Sequence, residues 1–235
     1  MAGSYLLDLP RRSRWRTAEI HETSRTERVR RVLNIAVALF GIIITLPLCV
    51  LIAVLVRLTS RGPVLYRQTR VGIDRRATNI DPAGARRARD VGGRPFTIYK
   101  FRTMKVSRSG AQLWAQPDDA RVTAVGRVLR KFRLDELPQL VNVLRGDMNV
   151  VGPRPEQPDI FAHLRNEIGD YGVRQRVLPG ITGWAQVNLN YDQTLDDVRR
   201  KLMFDLEYLE RRSAVEDTRI MLLTLPVMLG RRGAL

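Results

Sequence analysis

An α+β fold, predominantly helical and carried on a membrane-embedded apolar helix, is the architecture the sequence predicts, and three observations predict it. Val32 to Val56 is a run of 25 residues without a charge. Downstream, apolar residues recur at helical spacing from Leu137 to Leu144 and again from Leu195 to Arg212. The β-branched and aromatic content of strands is concentrated in two short stretches, "GPVLYRQTRVG" and "PFTIYKFRTM". A chain of 235 residues buries one sizeable core. The reading is a basic tail over 1–31, a membrane helix over 32–58 and a globular domain over 59–235.

The apolar run is long enough to cross, since a straight helix rising ~1.5 Å per residue over it exceeds a hydrocarbon core of ~30 Å. No small-residue cleavage site follows it, which argues against a secretory signal. Yet Arg25, Arg28, Arg30 and Arg31 precede the run, and Arg57, Arg61, Arg67 and Arg70 follow it. A single crossing cannot keep both basic flanks in the cytoplasm. Pro47 lacks the N–H that would bond Ile43, so a bend is expected there. The arms on either side, Val32–Leu46 and Leu48–Leu58, are too short to cross; the longer reaches ~22 Å. Charge alone leaves two placements standing equally. One is a re-entrant helix, with Thr45 helping to satisfy the backbone freed at the bend; the other is an ordinary spanning helix with a tolerated proline.

In the globular part, residues 73–94 are basic, contain Gly and Pro, and read as a surface loop between the two strands. Ser107–Asp119 reads as a second solvated loop, and "TAVGRVLRKF" as a short helix. Leu137, Leu140, Val141 and Leu144 give the next helix one apolar face, with Pro138 in its first turn and Gly146 as its stop. That places Asp135 and Glu136 at a helix N-terminus. "MNVVGPRPE" is a short strand followed by a turn that Pro153 and Pro155 stiffen around Arg154. The stretch from Leu195 to Arg212 is an amphipathic helix. The apolar residues from Ile220 to Val227, interrupted by Thr224, are too few to span and fit an interfacial helix or plain core.

Forty Lys and Arg against 24 Asp and Glu give a net charge of +16, a balance that points to polyanions: nucleic acid, an anionic membrane or a phosphorylated substrate. Lysine occurs only at positions 100, 105, 131 and 201, so the surplus is arginine, whose planar fork suits phosphates. Nucleic acid is disfavoured, because no binding motif is present and aromatics make up only 6% of residues. One cysteine, Cys49, and two distant histidines, His21 and His163, exclude a disulfide framework and argue against a zinc site or a histidine triad. Any metal here is a hard, oxygen-bound ion such as Mg²⁺.

Asp135 and Glu136 stand among Arg130, Lys131 and Arg133. Acids favour helix N-termini, so capping explains the pair without chemistry. The pair also suits phosphoryl transfer, which needs an in-line nucleophile, a metal on the non-bridging oxygens and positive charge to receive the developing negative charge. In that reading Arg130, Arg133 and the helix N-terminus keep Asp135 ionised, and Lys100 and Arg102 neutralise a diphosphate. The bland alternatives are a solvated strand face for Lys100 and Arg102, and a structural turn for Arg154.

From about Val32 to Leu235 the chain resembles the bacterial sugar transferases, the monotopic phosphoglycosyl transferases. The matching blocks occur in order: the apolar run with its central proline, "GPVLYRQTRVG", "FTIYKFRTM", "LRKFRLDELPQLVNVLRGDM", "VVGPRPE" and "PGITGWAQVN". The resemblance implies a monotopic enzyme on the cytoplasmic face of the bacterial inner membrane, its apolar helix re-entrant, carrying a cytosolic catalytic domain and interfacial amphipathic helices. It implies transfer of a phosphosugar from a UDP-sugar to polyprenyl (undecaprenyl) phosphate, with release of UMP, as the first step in making a polysaccharide or glycoconjugate. By the same resemblance Asp135 is the nucleophile, Glu136 is associated with Mg²⁺, and Arg154, between Pro153 and Pro155, with the nucleotide end. Membrane lipids of the cytoplasmic leaflet are the expected surroundings, and a homodimer is allowed. Two departures stand out: Leu46 where members commonly carry Ser before the proline, and "LNYD" from Leu189 where some carry Gly-Arg-Asn. A diphosphatase using the same carboxylates, with water replacing the lipid phosphate, is the alternative chemistry.

Overall fold

The computed structural model of the chain describes residues 24–74, 92–105, 119–189 and 194–228. The N-terminal tail up to residue 23, most of the 73–94 loop, nearly all of the loop expected over Ser107–Asp119, most of the "LNYD" stretch and the final arginines lie outside the described residues.

The first helix, α1 (Ser24–Thr59), begins within the stretch read as a tail and runs unbroken as secondary structure through Pro47. Thr45 does not serve the carbonyl that Pro47 frees. A helical hydroxyl reaches back one turn, and Thr45 Oγ1 donates to Gly41 O at 2.7 Å. Over the described residues α1 is the one helix long and apolar enough to cross a membrane. Its central side chains are bare, with Phe40 67% and Ile43 70% exposed. Its other face is covered. Ala38 is fully buried in the main core beside Val143, Met148 and Ile220. Ile52 and Val56 pack with Phe101 and Leu129 in a second cluster.

Why the N-terminal end is pinned follows from three polar residues, two from the basic flank and one from within the uncharged run. Arg30, 2% exposed, donates from Nε to Asp217 Oδ2 at 3.0 Å and from Nη2 to the Tyr208 hydroxyl at 2.8 Å. Arg31 donates to the carbonyls of Val143 and Leu144, near the C-terminal end of the helix Gln139–Arg145. Asn34 receives the Val150 N–H at 2.6 Å and donates to Arg30 O at 2.7 Å.

The two expected strands form an antiparallel hairpin. β1 (Leu65–Val71) pairs with β2 (Pro95–Phe101) in a register running from Leu65 opposite Phe101 to Val71 opposite Pro95. The short helix α2 (Ala124–Lys131) is capped by Thr123, whose hydroxyl accepts the Gly126 N–H at 2.9 Å.

The acidic pair is not on the first turn of the following helix. It occupies a separate 3₁₀ turn, Leu134–Glu136, and α3 (Gln139–Arg145) starts beyond Pro138. Pro138 has no N–H to offer the Leu134 carbonyl, and Leu137 N–H takes that carbonyl instead, tightening the winding. Gly146 ends α3 at φ 82°, as the sequence predicts.

β3 (Asn149–Val151) pairs in parallel with β4 (Gly180–Thr182), joined by α4 (Pro158–Glu167) and a 3₁₀ segment, Tyr171–Arg176. A third core, including Val71, Phe161, Tyr171, Leu202 and Leu206, fills the space under this crossover. The short α5 (Trp184–Asn188) leads to α6 (Leu195–Arg211), which opens with a capping box between Thr194 and Asp197. The last helix is α7 (Ala214–Met228), over the apolar C-terminal run. Ile220 and Val227 face the core, while Leu222 and Leu225 are more than half exposed.

Candidate active site

Glu136 is the centre around which the basic residues gather. The 3₁₀ turn buries its side chain, and two cations meet one of its oxygens: Lys100 Nζ at 2.6 Å and Arg154 Nη2 at 2.7 Å, both on Oε1. Lys100 comes from β2, near the end of the hairpin. Arg154 comes from the Pro-Arg-Pro turn after β3. Burial alone would raise the Glu136 carboxyl, but Arg154 and Lys100 outweigh it and hold the group well below the usual carboxylate range. Burial lowers the Lys100 ammonium from its ordinary value, and the Glu136 carboxylate only partly restores it.

Asp135, half-buried beside this clamp, behaves differently from expectation. Burial, and next the Glu136 carboxylate, push its carboxyl up to about 6, against weaker opposing pulls from Lys100, Arg154 and Arg130. The expected helix N-terminus is absent because the pair sits on the preceding 3₁₀ turn. Arg130 acts in the anticipated direction, although its Nε donates to Thr103 Oγ1 at 3.0 Å. Arg133 adopts left-handed backbone, φ 53°, and its side chain makes no hydrogen bond among the described residues.

Arg102 is not brought to the site. β2 ends at Phe101, and the buried Arg102 guanidinium turns instead to the C-terminal end of α1. Its Nη2 donates to Ser60 O at 2.6 Å and Ser60 Oγ at 2.9 Å. Pro153 and Pro155 lie where predicted, flanking Arg154, and their carbonyls accept from Gly180 N–H and Arg70 Nη1, each at 3.0 Å.

Sequence reasoning missed a second layer behind Arg154. Glu156 binds Lys201 Nζ at 3.0 Å and Arg174 Nη1 at 3.3 Å, and Arg174 also pairs with Asp205 at 2.7 Å. Glu156 was visible at the end of the "VVGPRPE" block. The other three are ordinary charged residues of a helix and a turn, and no local pattern marks them.

The donor set fits Mg²⁺ with help from substrate. Both cations contact Glu136 Oε1, while Oε2 accepts no hydrogen bond among the described residues. No cluster of three or more metal-ligating side chains occurs among the described residues. Mg²⁺ held by one or two carboxylates and completed by phosphate oxygens and water needs no more than this.

The arrangement therefore sets the half-buried Asp135 carboxyl beside a buried carboxylate on which two cations converge. Named proteins resemble the chain over most of its length. The chain is 41% identical over 208 residues to an Aeromonas hydrophila UDP-N-acetylgalactosamine-undecaprenyl-phosphate N-acetylgalactosaminephosphotransferase, covering 88% of this chain and 45% of that protein. It is 39% identical over 199 residues to an Escherichia coli UDP-glucose:undecaprenyl-phosphate glucose-1-phosphate transferase, covering 83% of this chain and 39% of the relative. A Caulobacter vibrioides protein of the same name is 38% identical over 208 residues, or 87% of this chain and 71% of its own length. The chain thus spans less than half the length of the first two relatives. The bacterial sugar transferase profile matches residues 25–231, nearly everything described here, and the chain belongs to that family.

Proposed function

We propose that this chain transfers a phosphosugar from a UDP-sugar to undecaprenyl phosphate at the cytoplasmic face of the bacterial inner membrane. The observation that carries the reading is the placement of Asp135 beside a Glu136 carboxylate on which Lys100 and Arg154 converge. An Asp135 carboxylate oxygen attacks the sugar-bearing phosphorus, and the bond from that phosphorus to the bridging oxygen breaks. UMP leaves with the electron pair, and an aspartyl phosphosugar remains. An oxygen of undecaprenyl phosphate then attacks the same phosphorus and returns Asp135 to its carboxylate. Lys100 and Arg154 receive the negative charge that gathers on the diphosphate. Mg²⁺, held by Glu136 with Asp135 beside it, would neutralise non-bridging oxygens when bound.

Support for a re-entrant α1 comes from its two ends. Arg30 near one end, and Ile52 and Val56 near the other, pack on one and the same globular domain. A helix crossing the bilayer would carry its far end out on the opposite side, away from that domain.

Intact-protein mass spectrometry with UDP-sugar and no polyprenyl phosphate tests the chemistry. The expected result is one added phosphosugar, mapped to Asp135 and missing from Asp135→Asn, which also loses turnover. An active enzyme that never gains that mass, together with an Asn variant that still turns over, refutes the covalent route. Formation of lipid-linked product in step with UMP excludes the diphosphatase alternative.

A further inference from the structure

The turn that carries Arg154 is held by all four of its carbonyls. Gly180 N–H donates to Pro153 O at 3.0 Å and Val71 N–H to Glu156 O at 2.9 Å. The middle two take guanidinium groups: Arg174 Nη2 on Arg154 O at 2.9 Å, and Arg70 Nη1 on Pro155 O at 3.0 Å. Prolines fix φ at positions 153 and 155, and the second also bars Arg154 from the helical region. Neither proline sets ψ of Arg154 within the extended region. The direction of the Arg154 carbonyl does, and Arg174 holds that carbonyl.

Arg174 is itself tightly confined. It is 1% exposed, paired with Asp205 at 2.7 Å and Glu156 at 3.3 Å, and its Nη1 donates to the Tyr171 hydroxyl at 2.7 Å. Lys201 binds the Glu156 carboxylate from α6. Buried ion clusters of this kind do little for stability compared with apolar residues of the same volume. This one lies directly behind the half-buried Arg154 of the site.

We propose that Arg174 is a positioning residue: clamped by Asp205 and Glu156, it fixes the backbone at Arg154 so that the Arg154 guanidinium stays on the Glu136 side of the diphosphate. The inference rests on the reading of Arg154 given above. Arg174→Lys keeps the charge facing Asp205 and Glu156, but a single ammonium cannot span both and also hold the Arg154 carbonyl.

The test is a double-mutant cycle on the full chain in detergent, with UMP release as the readout and a melting curve for every variant. Misplacing Arg154 predicts that Arg174→Lys lowers kcat/KM for the UDP-sugar by about 10- to 100-fold and leaves KM for undecaprenyl phosphate unchanged. In an Arg154→Ala background the same change should cost less than about twofold, because the residue it acts through is gone. Lys201→Gln, which loosens Glu156 from the same cluster, is measured in both backgrounds and decides the matter if Arg174→Lys fails to fold. Equal losses in both backgrounds, or a folded Arg174→Lys enzyme of full activity, overturn this inference alone. An Arg154→Ala enzyme of full activity overturns the reading of Arg154 and this inference with it.

Discussion

Removing Asp217 should destabilise the protein far more than removing Asp217 and Arg30 together. The Arg30 and Asp217 side chains are 2% and 1% exposed, and the carboxylate meets both Arg30 Nε and the Tyr208 hydroxyl, the latter at 2.7 Å. Asp217→Ala leaves a guanidinium buried without its main counter-charge, a change that typically costs about 3–5 kcal/mol. Glu27, half exposed and 3.7 Å from Arg30 Nη1, offsets part of the stranded charge and favours the lower end of that range. A domain of this size loses roughly 2–4 °C of melting temperature per kcal/mol, so the expected drop is roughly 6–12 °C for about 3 kcal/mol. The pair is close to break-even relative to apolar packing. Burial raises the Asp217 carboxyl above its ordinary value even with Arg30 alongside. Arg30→Met combined with Asp217→Leu should therefore melt within about 1 kcal/mol of the unmodified chain. Thermal unfolding in detergent micelles, followed by circular dichroism, compares the variants. A single variant that melts with the unmodified chain, or a double variant no better than the single, would refute the reasoning.

Glu156 makes a pH prediction. Burial would raise its carboxyl, but Lys201 and Arg174 hold it at about 2, down from 4.5. A depressed carboxyl contributes stability above its unfolded value and loses it as pH falls toward the folded one, here on the order of 3 kcal/mol lost between about pH 5 and 2. Melting temperature against pH should fall less steeply across that window in Glu156→Gln; parallel curves would contradict the assignment. The topology prediction uses single cysteines at Ser24 and Thr59 in a Cys49→Ala background. Both should react with an impermeant reagent only from the cytoplasmic side, and Pro47→Ala, which restores a helix hydrogen bond, should shift part of the population towards labelling from opposite sides.

What the sequence made legible was whatever local pattern encodes. The uncharged run, the two β-rich strands and Gly146 as a stop follow from composition and periodicity, while Glu136 and Arg154 were singled out together by the family resemblance and Lys100 only as one of two readings. Arg30 was not legible, because a buried arginine whose partners lie 178 and 187 residues away in sequence resembles any basic tail residue. Arg102 shares its block with Lys100, yet the strand ends between them and sends the two side chains to different tasks. Arg174 and Asp205 meet only after α6 has packed across the β3–β4 crossover. Even at the centre of the site, the acids could be placed without their electrostatics. Whether Asp135 is ionised depends on how deeply its turn is buried, and no residue type reports that.

Asn34 has a consequence for how copies of this chain behave towards one another. Among the described residues β3 pairs with β4 along one side only, so its outer edge would present an unpaired amide able to recruit a strand from another molecule. The Asn34 side-chain oxygen occupies that amide, receiving the Val150 N–H at 2.6 Å, and α1 covers the position. A short, helix-covered edge of this kind is closed to intermolecular strand addition. The apolar helix thus shields the sheet edge from pairing with a strand of another copy of this chain.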